Sequence, residues 1–520
     1  MDTERLGSSG ALAASLSVPQ LDFLAHFASI TPHKVAIRDL AGARDLTYAE
    51  LDAAADKVAE LLRATLSTTV GERVAVISRN RFEMVVLHFA CIRTGAIFVP
   101  VNWRLAASEI EYILADCRPA LSVVEPEFEP VVARSGVPRI CLDESPSGLA
   151  SRLAAVASPV SPCKVAVPAD RPITLLYSSG TTGKPKGVIV TQINAWAGSL
   201  NLALDMHCGA ESVFLCDMPL FHTAGLFAAL RTPLSVGGAV VLSQKFDAEA
   251  TYARLADRSL GITHYFSVTQ MAMALRRLPG FDGRRLAHLQ AFITGGAPNP
   301  AAHILRWLDD GVRMINAWGM SEICSGSAQP LGSLERLRCN PSSIGIPHLT
   351  LEVRLVDAAS GRDADPGCPG EMWVRGLSVT PGYWQRPDLN EQAFRDGWFR
   401  TGDVAVRDSQ GCYTLIDRIK DLFISGGENV YPAQIEAVIM ELPEVTDVAV
   451  IGVADDKWGE VGAALVVVAA GARLDETAIR DHCAARLARF KIPRHVKIVS
   501  DLPRTPTGKV QKHLLRVQWR

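Results

Sequence analysis

The chain has 520 residues, 48% hydrophobic and 21% charged, with 53 Lys and Arg against 55 Asp and Glu for a net charge of −2. Those are globular proportions; they exclude a collagen, a disordered tail protein and a coiled coil, and the balanced charge argues against a general nucleic-acid or anionic-membrane binder. At about 150 residues per domain, the length fits three or four units, or one large enzyme body with a smaller appendage.

The first residues, Met1 to Gln20, open with Asp2 and Glu4 and lack the basic flank of a signal peptide. Arg73 to Ile77 reads as a buried strand, Phe82 to Thr94 as a helix and Ala96 to Pro100 as the next strand. Val156 to Arg171, rich in Pro, Ser and Ala, reads as a surface crossing. The strand–helix rhythm returns with strands at Gly238–Leu242, His264–Ser267 and Gln290–Thr294. Short connections between such elements predict an α/β protein with parallel sheets. Asp357 to Gly370 is dense in Gly, Pro and Asp and precedes short strands such as Glu371–Val374, so a β-rich subdomain is expected there. After Asp417, helices at 435–441 and 477–487 and strands at 447–453 and 463–468 predict a small α+β domain. The expected division is a large N-terminal domain, 1–417, and a small C-terminal domain, 418–520. The eleven cysteines form no C-x-x-C pair and no zinc-spaced cluster. They read as reduced thiols of an intracellular protein. The longest apolar run, Val461 to Ala470, is shorter than the roughly 18 residues a membrane span needs. No transmembrane segment is expected, and the cytoplasm is the expected compartment.

The strongest chemical signal is Tyr177-Ser-Ser-Gly-Thr-Thr-Gly-Lys-Pro-Lys-Gly187, which follows the apolar strand Ile173 to Leu176. Glycines Gly180 and Gly183 let the backbone approach a ligand. Ser178, Ser179, Thr181 and Thr182 add hydroxyl donors, and Lys184 and Lys186 add point charges suited to phosphate. The pattern G-x-x-x-x-G-K-[ST] fails, because Ser178 stands at its first Gly and Pro185 at its Ser/Thr. It reads as a phosphate loop of another kind.

This loop resembles the ATP-phosphate loop of the adenylate-forming superfamily of acyl-CoA synthetases, peptide-adenylation domains and luciferases. Further matches follow in order from about Leu21 to Lys512, closest to the bacterial fatty-acyl-CoA and aryl-CoA ligases. The resemblance implies a large α/β body and a mobile C-terminal domain turning on a hinge near Lys420. Gly295, Gly296, Ala297 and Pro298 would line the adenine site. In Asn316-Ala-Trp-Gly-Met-Ser-Glu322, the segment from Asn316 through Gly319 would border the nucleotide, with Trp318 stacking on adenine. Ser321 would hold the α-phosphate and Glu322 would carry Mg²⁺. Asp403 and Arg418 would take the ribose, since a carboxylate accepts from both hydroxyls. Lys509, in Pro503-Arg-Thr-Pro-Thr-Gly-Lys509, matches the catalytic lysine that offsets repulsion between a carboxylate and ATP. Gly426, Gly427 and Glu428 would face the pantetheine tunnel, and Trp458, Phe490 and Arg494 the CoA nucleotide. Ile492 stands where a relative carries a basic residue. His222, in Pro219-Leu-Phe-His-Thr-Ala-Gly225, would border the acyl pocket.

The implied reaction joins a small-molecule carboxylic acid to CoA with ATP and Mg²⁺, through an acyl-adenylate. Segments around His222, His264–Gln270 and Trp318–Gly326 would wall the acid pocket. They are mostly apolar, and only His264 could meet a second carboxylate. A medium- or long-chain fatty acid is the first expectation, placing the protein in fatty-acid metabolism; an aryl or arylpropenoic acid is the second. Another reading is a stand-alone adenylation enzyme that loads a carrier protein. No nucleic-acid partner is expected. Peripheral membrane contact and oligomeric state are left open.

Overall fold

The structure is a computed structural model that describes residues 22–156, 168–179, 185–297, 299–329, 331–332, 334–357, 360–426, 428–469, 471–504 and 510–519. Among the described residues the strands form four sheets. In a six-stranded sheet, Arg73–Ile77, Ile97–Val101, Leu121–Val124, Arg139–Cys141 and Pro172–Ser179 run parallel. Pro185–Thr191 folds back antiparallel on the last of these. A nine-stranded sheet has a parallel centre that includes Val213–Cys216, Ala239–Leu242, His264–Ser267, Ala291–Thr294 and Met314–Trp318. A third sheet is antiparallel: Leu351–Val356, Gly370–Gly376, Phe394–Arg395, Trp398–Arg407 and Tyr413–Arg418. The fourth is built on Gly459–Val468, with Val445–Asp455 along one edge and helices Pro432–Ile439 and Glu476–Ala484 packed together beside it.

The expected mixture of parallel sheets, a β-rich section and a smaller C-terminal α+β section is thus present. The crossing at Val156–Arg171 falls mostly outside the described residues. No helix among the described residues is long and apolar enough to cross a membrane.

Helix Phe82–Thr94 fits its sequence reading to the residue. Nearly all of its side chains are buried, and it stops at Gly95, whose φ of 75° is readily adopted only by glycine. One charge sits inside this apolar helix. Arg93, 1% exposed, donates from Nε to Asp22 Oδ2 at 2.9 Å and from Nη1 to Asp56 Oδ1 at 2.8 Å, and its Nη2 meets Asp52. Three carboxylates from two other segments therefore compensate one buried guanidinium and fasten helix Tyr48–Thr65 to it. Removing the cation strands those carboxylates. Arg93→Met is expected to cost about 3–5 kcal/mol of unfolding free energy, measured by urea titration; a loss well under 1 kcal/mol would contradict this account.

Candidate active site

The strand Pro172–Ser179 ends by pairing Ser178 with Lys186 and Ser179 with Pro185. Gly180, Thr181, Thr182, Gly183 and Lys184 lie outside the described residues, as do Pro298, Gly427 and Lys509. Ser178 Oγ is buried and finds no hydrogen-bond partner among the described residues. Such an orphaned hydroxyl suits a site that a ligand completes.

Lys186 leaves this hairpin to meet Glu322. Their closest approach is 3.5 Å, and the ammonium lies 3.7 Å from the centre of the Tyr383 ring. Tyr383 Oη donates to Glu322 Oε1 at 2.9 Å. Burial pulls the Lys186 pKa down, and Glu322 partly opposes it. Tyr383 was not singled out by sequence; Pro381-Gly-Tyr-Trp384 carries the signal of an aromatic after a glycine turn. Glu322 is buried, and among the described residues no group of three or more His, Cys, Asp and Glu could hold a metal ion. A buried carboxylate that meets Lys186 suits Mg²⁺, which commonly binds through one or two carboxylates and substrate phosphates.

A second cluster shares the same segment. Trp318 Nε1 donates to Asp403 Oδ2 at 2.8 Å, and Arg418 Nε donates to Oδ1 at 2.7 Å. Asp403 and Arg418 are cross-strand partners, so the antiparallel register sets this pair. Asp403 is the main cause of the raised Arg418 pKa, and Glu322 adds to it, which puts the two clusters within electrostatic reach. The Trp318 ring needs Gly326 beside it, since a Cβ there would come 2.5 Å from Cε3. Gly319 borders Gly326 without crowding. Asn316 is already occupied: its backbone N–H donates to Gln329 Oε1 and its side chain to the carbonyls of Ser342 and Ser343. Gly295 lies close to Ala317 O and the Phe266 ring, and Gly296 has φ 84°. Ala297 O accepts from Thr269 Oγ1.

His222 begins a glycine turn in which a Cβ on Gly225 would come 2.1 Å from Pro219 O. The next residue, Thr223, donates to Ser321 Oγ at 3.3 Å, bringing the His222 segment against the Trp318–Glu322 segment. Cys324 follows with φ 51° and ψ −46°, and Ser325 N donates to Ile323 O across it. That is a strained γ-turn at a non-glycine residue. His264 does not face an acid. It hydrogen-bonds Thr263 Oγ1 and Met206 O and stacks on Phe214, so it offers nothing to a second carboxylate.

The remaining candidates belong to the C-terminal section, most of them in turns between its strands and helices. Gly426, φ 60°, donates to Trp458 O, and a Cβ there would come 2.8 Å from that indole. Glu428 is exposed, as are Trp458 and Phe490. Arg494 is paired with Asp455 at 2.8 Å. Lys420 is exposed, two residues beyond Arg418.

A match to the description "AMP-binding enzyme" covers residues 24–384, and one to "AMP-binding enzyme C-terminal domain" covers 434–509. A feruloyl-CoA synthase from an Amycolatopsis species is 36% identical over 491 residues, covering 94% of this chain and 96% of its own. A long-chain-fatty-acid–CoA ligase of Mycobacterium tuberculosis is 33% identical over 485 residues, covering 91% and 93%. The crystal structure of ATP-bound MatB from Rhodopseudomonas palustris superposes with a TM-score of 0.89 at 31% identity, over 96% of this chain and 99% of its own. The chain belongs to the AMP-binding enzyme family of the adenylate-forming superfamily, and it is an AMP-forming acid–thiol ligase.

Asp417, beside Arg418, accepts from the backbone N–H of Ala433 at 2.7 Å and of Arg418 at 2.7 Å. Burial raises its pKa to about 6, with Lys512 opposing. The unfolded value is about 4, so between about pH 4 and 6 the folded chain keeps a proton the unfolded chain has lost. Stability therefore falls as pH rises through that window. Asp417→Asn has no such proton to lose. Its stability relative to wild type is expected to rise by about 1–3 kcal/mol from pH 4 to pH 6.5 in urea titrations; a flat difference refutes the assignment.

Proposed function

We propose that the protein couples a carboxylic acid with an apolar body to CoA in two steps. In the first, an acid oxygen attacks the α-phosphorus of ATP, the bond to the β-phosphate oxygen breaks, and pyrophosphate leaves. In the second, the CoA thiol attacks the acyl carbon and AMP leaves. Activation is needed because a free carboxylate is a poor electrophile. The observation that carries this reading is the meeting of Lys186–Glu322–Tyr383 and Trp318–Asp403–Arg418 on one short segment, Trp318–Glu322.

In this reading Ser178, Lys186 and the loop 180–184 hold the phosphates, with Ser321 at the α-phosphate. Gly295–Pro298 and Trp318 border the base, and Asp403 with Arg418 accepts and orients the ribose. Glu322 would hold Mg²⁺, which when bound neutralises phosphate charge. Lys509 supplies the cation for the first step, and the Gly426–Glu428 face serves the second after rotation near Lys420. Two cation-bearing and thiol-bearing faces cannot fill one cleft together, so the C-terminal domain, 418–520, alternates between them. Fatty acids and aryl acids both suit the apolar walls, and the fatty-acid and feruloyl-CoA relatives support both.

Pyrophosphate release and mass spectrometry of acyl-CoA from a mixed acid pool test the reading. ADP as the only nucleotide product, or intact ATP with every acid, would end it. Lys509→Ala is expected to slow adenylation by about 10²–10³, while thioester formation from supplied acyl-adenylate persists. Trp318→Phe keeps the ring but removes the donor to Asp403. It is expected to raise KM for ATP by about tenfold with a smaller change in kcat; an unchanged KM would remove Asp403 orientation from the mechanism.

A further inference from the structure

Arg231 ends the π-helical segment Ala224–Arg231 that follows His222 and Thr223. It is 2% exposed. Its guanidinium carbon lies 4.8 Å from the centre of the Phe23 ring, with Phe89 and Phe227 about it at 5.9 and 6.0 Å. Among the described residues it forms no ion pair with a carboxylate, in contrast to Arg93, whose equal burial is met by three.

Its one hydrogen-bond partner among the described residues is His88, fully buried, with Nη1 and Nε2 2.9 Å apart, while Asp22, paired with Arg93, and Cys324 act on its charge. Arginine can only donate, so His88 Nε2 accepts. Burial and the nearby Arg231 charge hold the imidazole pKa well below its usual range, so the ring is neutral and its proton is on Nδ1. Arg231 Nε and His88 Nδ1 both lack a partner among the described residues. Both are therefore donors, and what the cluster lacks is an acceptor. A buried cation and two orphaned donors are expensive to maintain unless something completes them.

The cluster adjoins the walls assigned to the acid. One end of the Thr223–Arg231 stretch touches Ser321 through Thr223. At the other end, the Arg231 charge reaches Cys324, in the turn after Glu322. Eight residues of helical rise, at about 1.2–1.5 Å each, separate the two ends by roughly 10 Å.

We propose that Arg231, with His88, binds an acceptor oxygen at the far end of the acid substrate, roughly 10 Å from the carboxylate that is activated. The substrate class is then an acid with an apolar middle and a distal oxygen, either a phenolic hydroxyl or a second carboxylate. This rests on the ligase reading above and narrows it. Sequence inspection passed over Arg231 because it closes the apolar run Ala224-Gly-Leu-Phe-Ala-Ala-Leu230; a lone arginine in such a run is the available signal.

The test uses matched acids: cinnamate against 4-hydroxycinnamate, and decanoate against decanedioate. For each, kcat/KM is taken from pyrophosphate release and Kd from calorimetry on the nucleotide-free protein. In at least one pair the oxygen-bearing acid is expected to be favoured about tenfold or more, and the responding pair identifies the oxygen. In Arg231→Leu that ratio is expected to fall to near one, with Arg231→Lys between. Equal treatment of both members of both pairs by the wild-type protein overturns the proposal, even if Arg231→Leu does not fold. So does a preference that survives Arg231→Leu. Absence of pyrophosphate from every acid would sink the ligase reading alone, because the binding ratios still decide the role of Arg231.

Discussion

Asp403 is the carboxylate on which the described site depends. It is buried, and each of its oxygens receives one strong donor: Trp318 Nε1 from the C-terminal end of strand Met314–Trp318 in the nine-stranded sheet and Arg418 Nε from the neighbouring strand of the third sheet. A buried carboxylate is tolerated only when paired and hydrogen-bonded. The pairing here ties residues 85 and 15 positions away in sequence to one point. Because Trp318 is fixed, so are Ser321 and Glu322 a few residues on, and Glu322 in turn gathers Lys186 and Tyr383. One ion-paired hydrogen-bond triad thus sets the geometry of both clusters.

The two buried arginines show how differently one chain treats the same charge. Arg93 joins a helix to its neighbours, and its three carboxylates make it a structural fastener. Arg231 has aromatic faces, a neutral histidine and no ion-paired carboxylate among the described residues, although Asp22, paired with Arg93, adds an electrostatic pull. In a medium of low polarity, aromatic quadrupoles compensate a cation only in part. The strain at Cys324 lies within the reach of that charge, so a strained turn and a buried cation both adjoin the segment that carries Ser321 and Glu322.

Much of this was legible in the sequence because it was local. Helix Phe82–Thr94 and strand His264–Ser267 were bounded to the residue by apolar periodicity and by glycine punctuation. Strands read as Ala96–Pro100 and Gly238–Leu242 shifted by a residue, to Ile97–Val101 and Ala239–Leu242, where backbone pairing rather than side-chain pattern sets the end. What sequence did not give was partnership. Trp318 was read as a stacking surface, but its indole N–H also serves Asp403. Asn316 reads as a nucleotide contact, and the structure adds that its amide nitrogen donates to the Ser342 and Ser343 carbonyls. His264 reads as an acid ligand, but its ring nitrogens are engaged by the adjacent Thr263 and by Met206 O, and the sheet brings Phe214 onto its face. Tyr383 and Arg231 carry only weak local signals, and their partners, Glu322 and His88, are set by long-range packing.

Arg418 and Asp417 are neighbours in one strand, yet they are held from opposite directions. Arg418 is anchored to Asp403 in the large body, while Asp417 receives the first amide of helix Pro432–Ile439. Ile419 is also bonded back, to Gly402 O. The bond from Ala433 to Asp417 is the one of these anchors that spans Ile419, so the proposed turn just after Ile419 would leave Arg418 and Ile419 fastened to the large body and would have to release Asp417 from helix Pro432–Ile439.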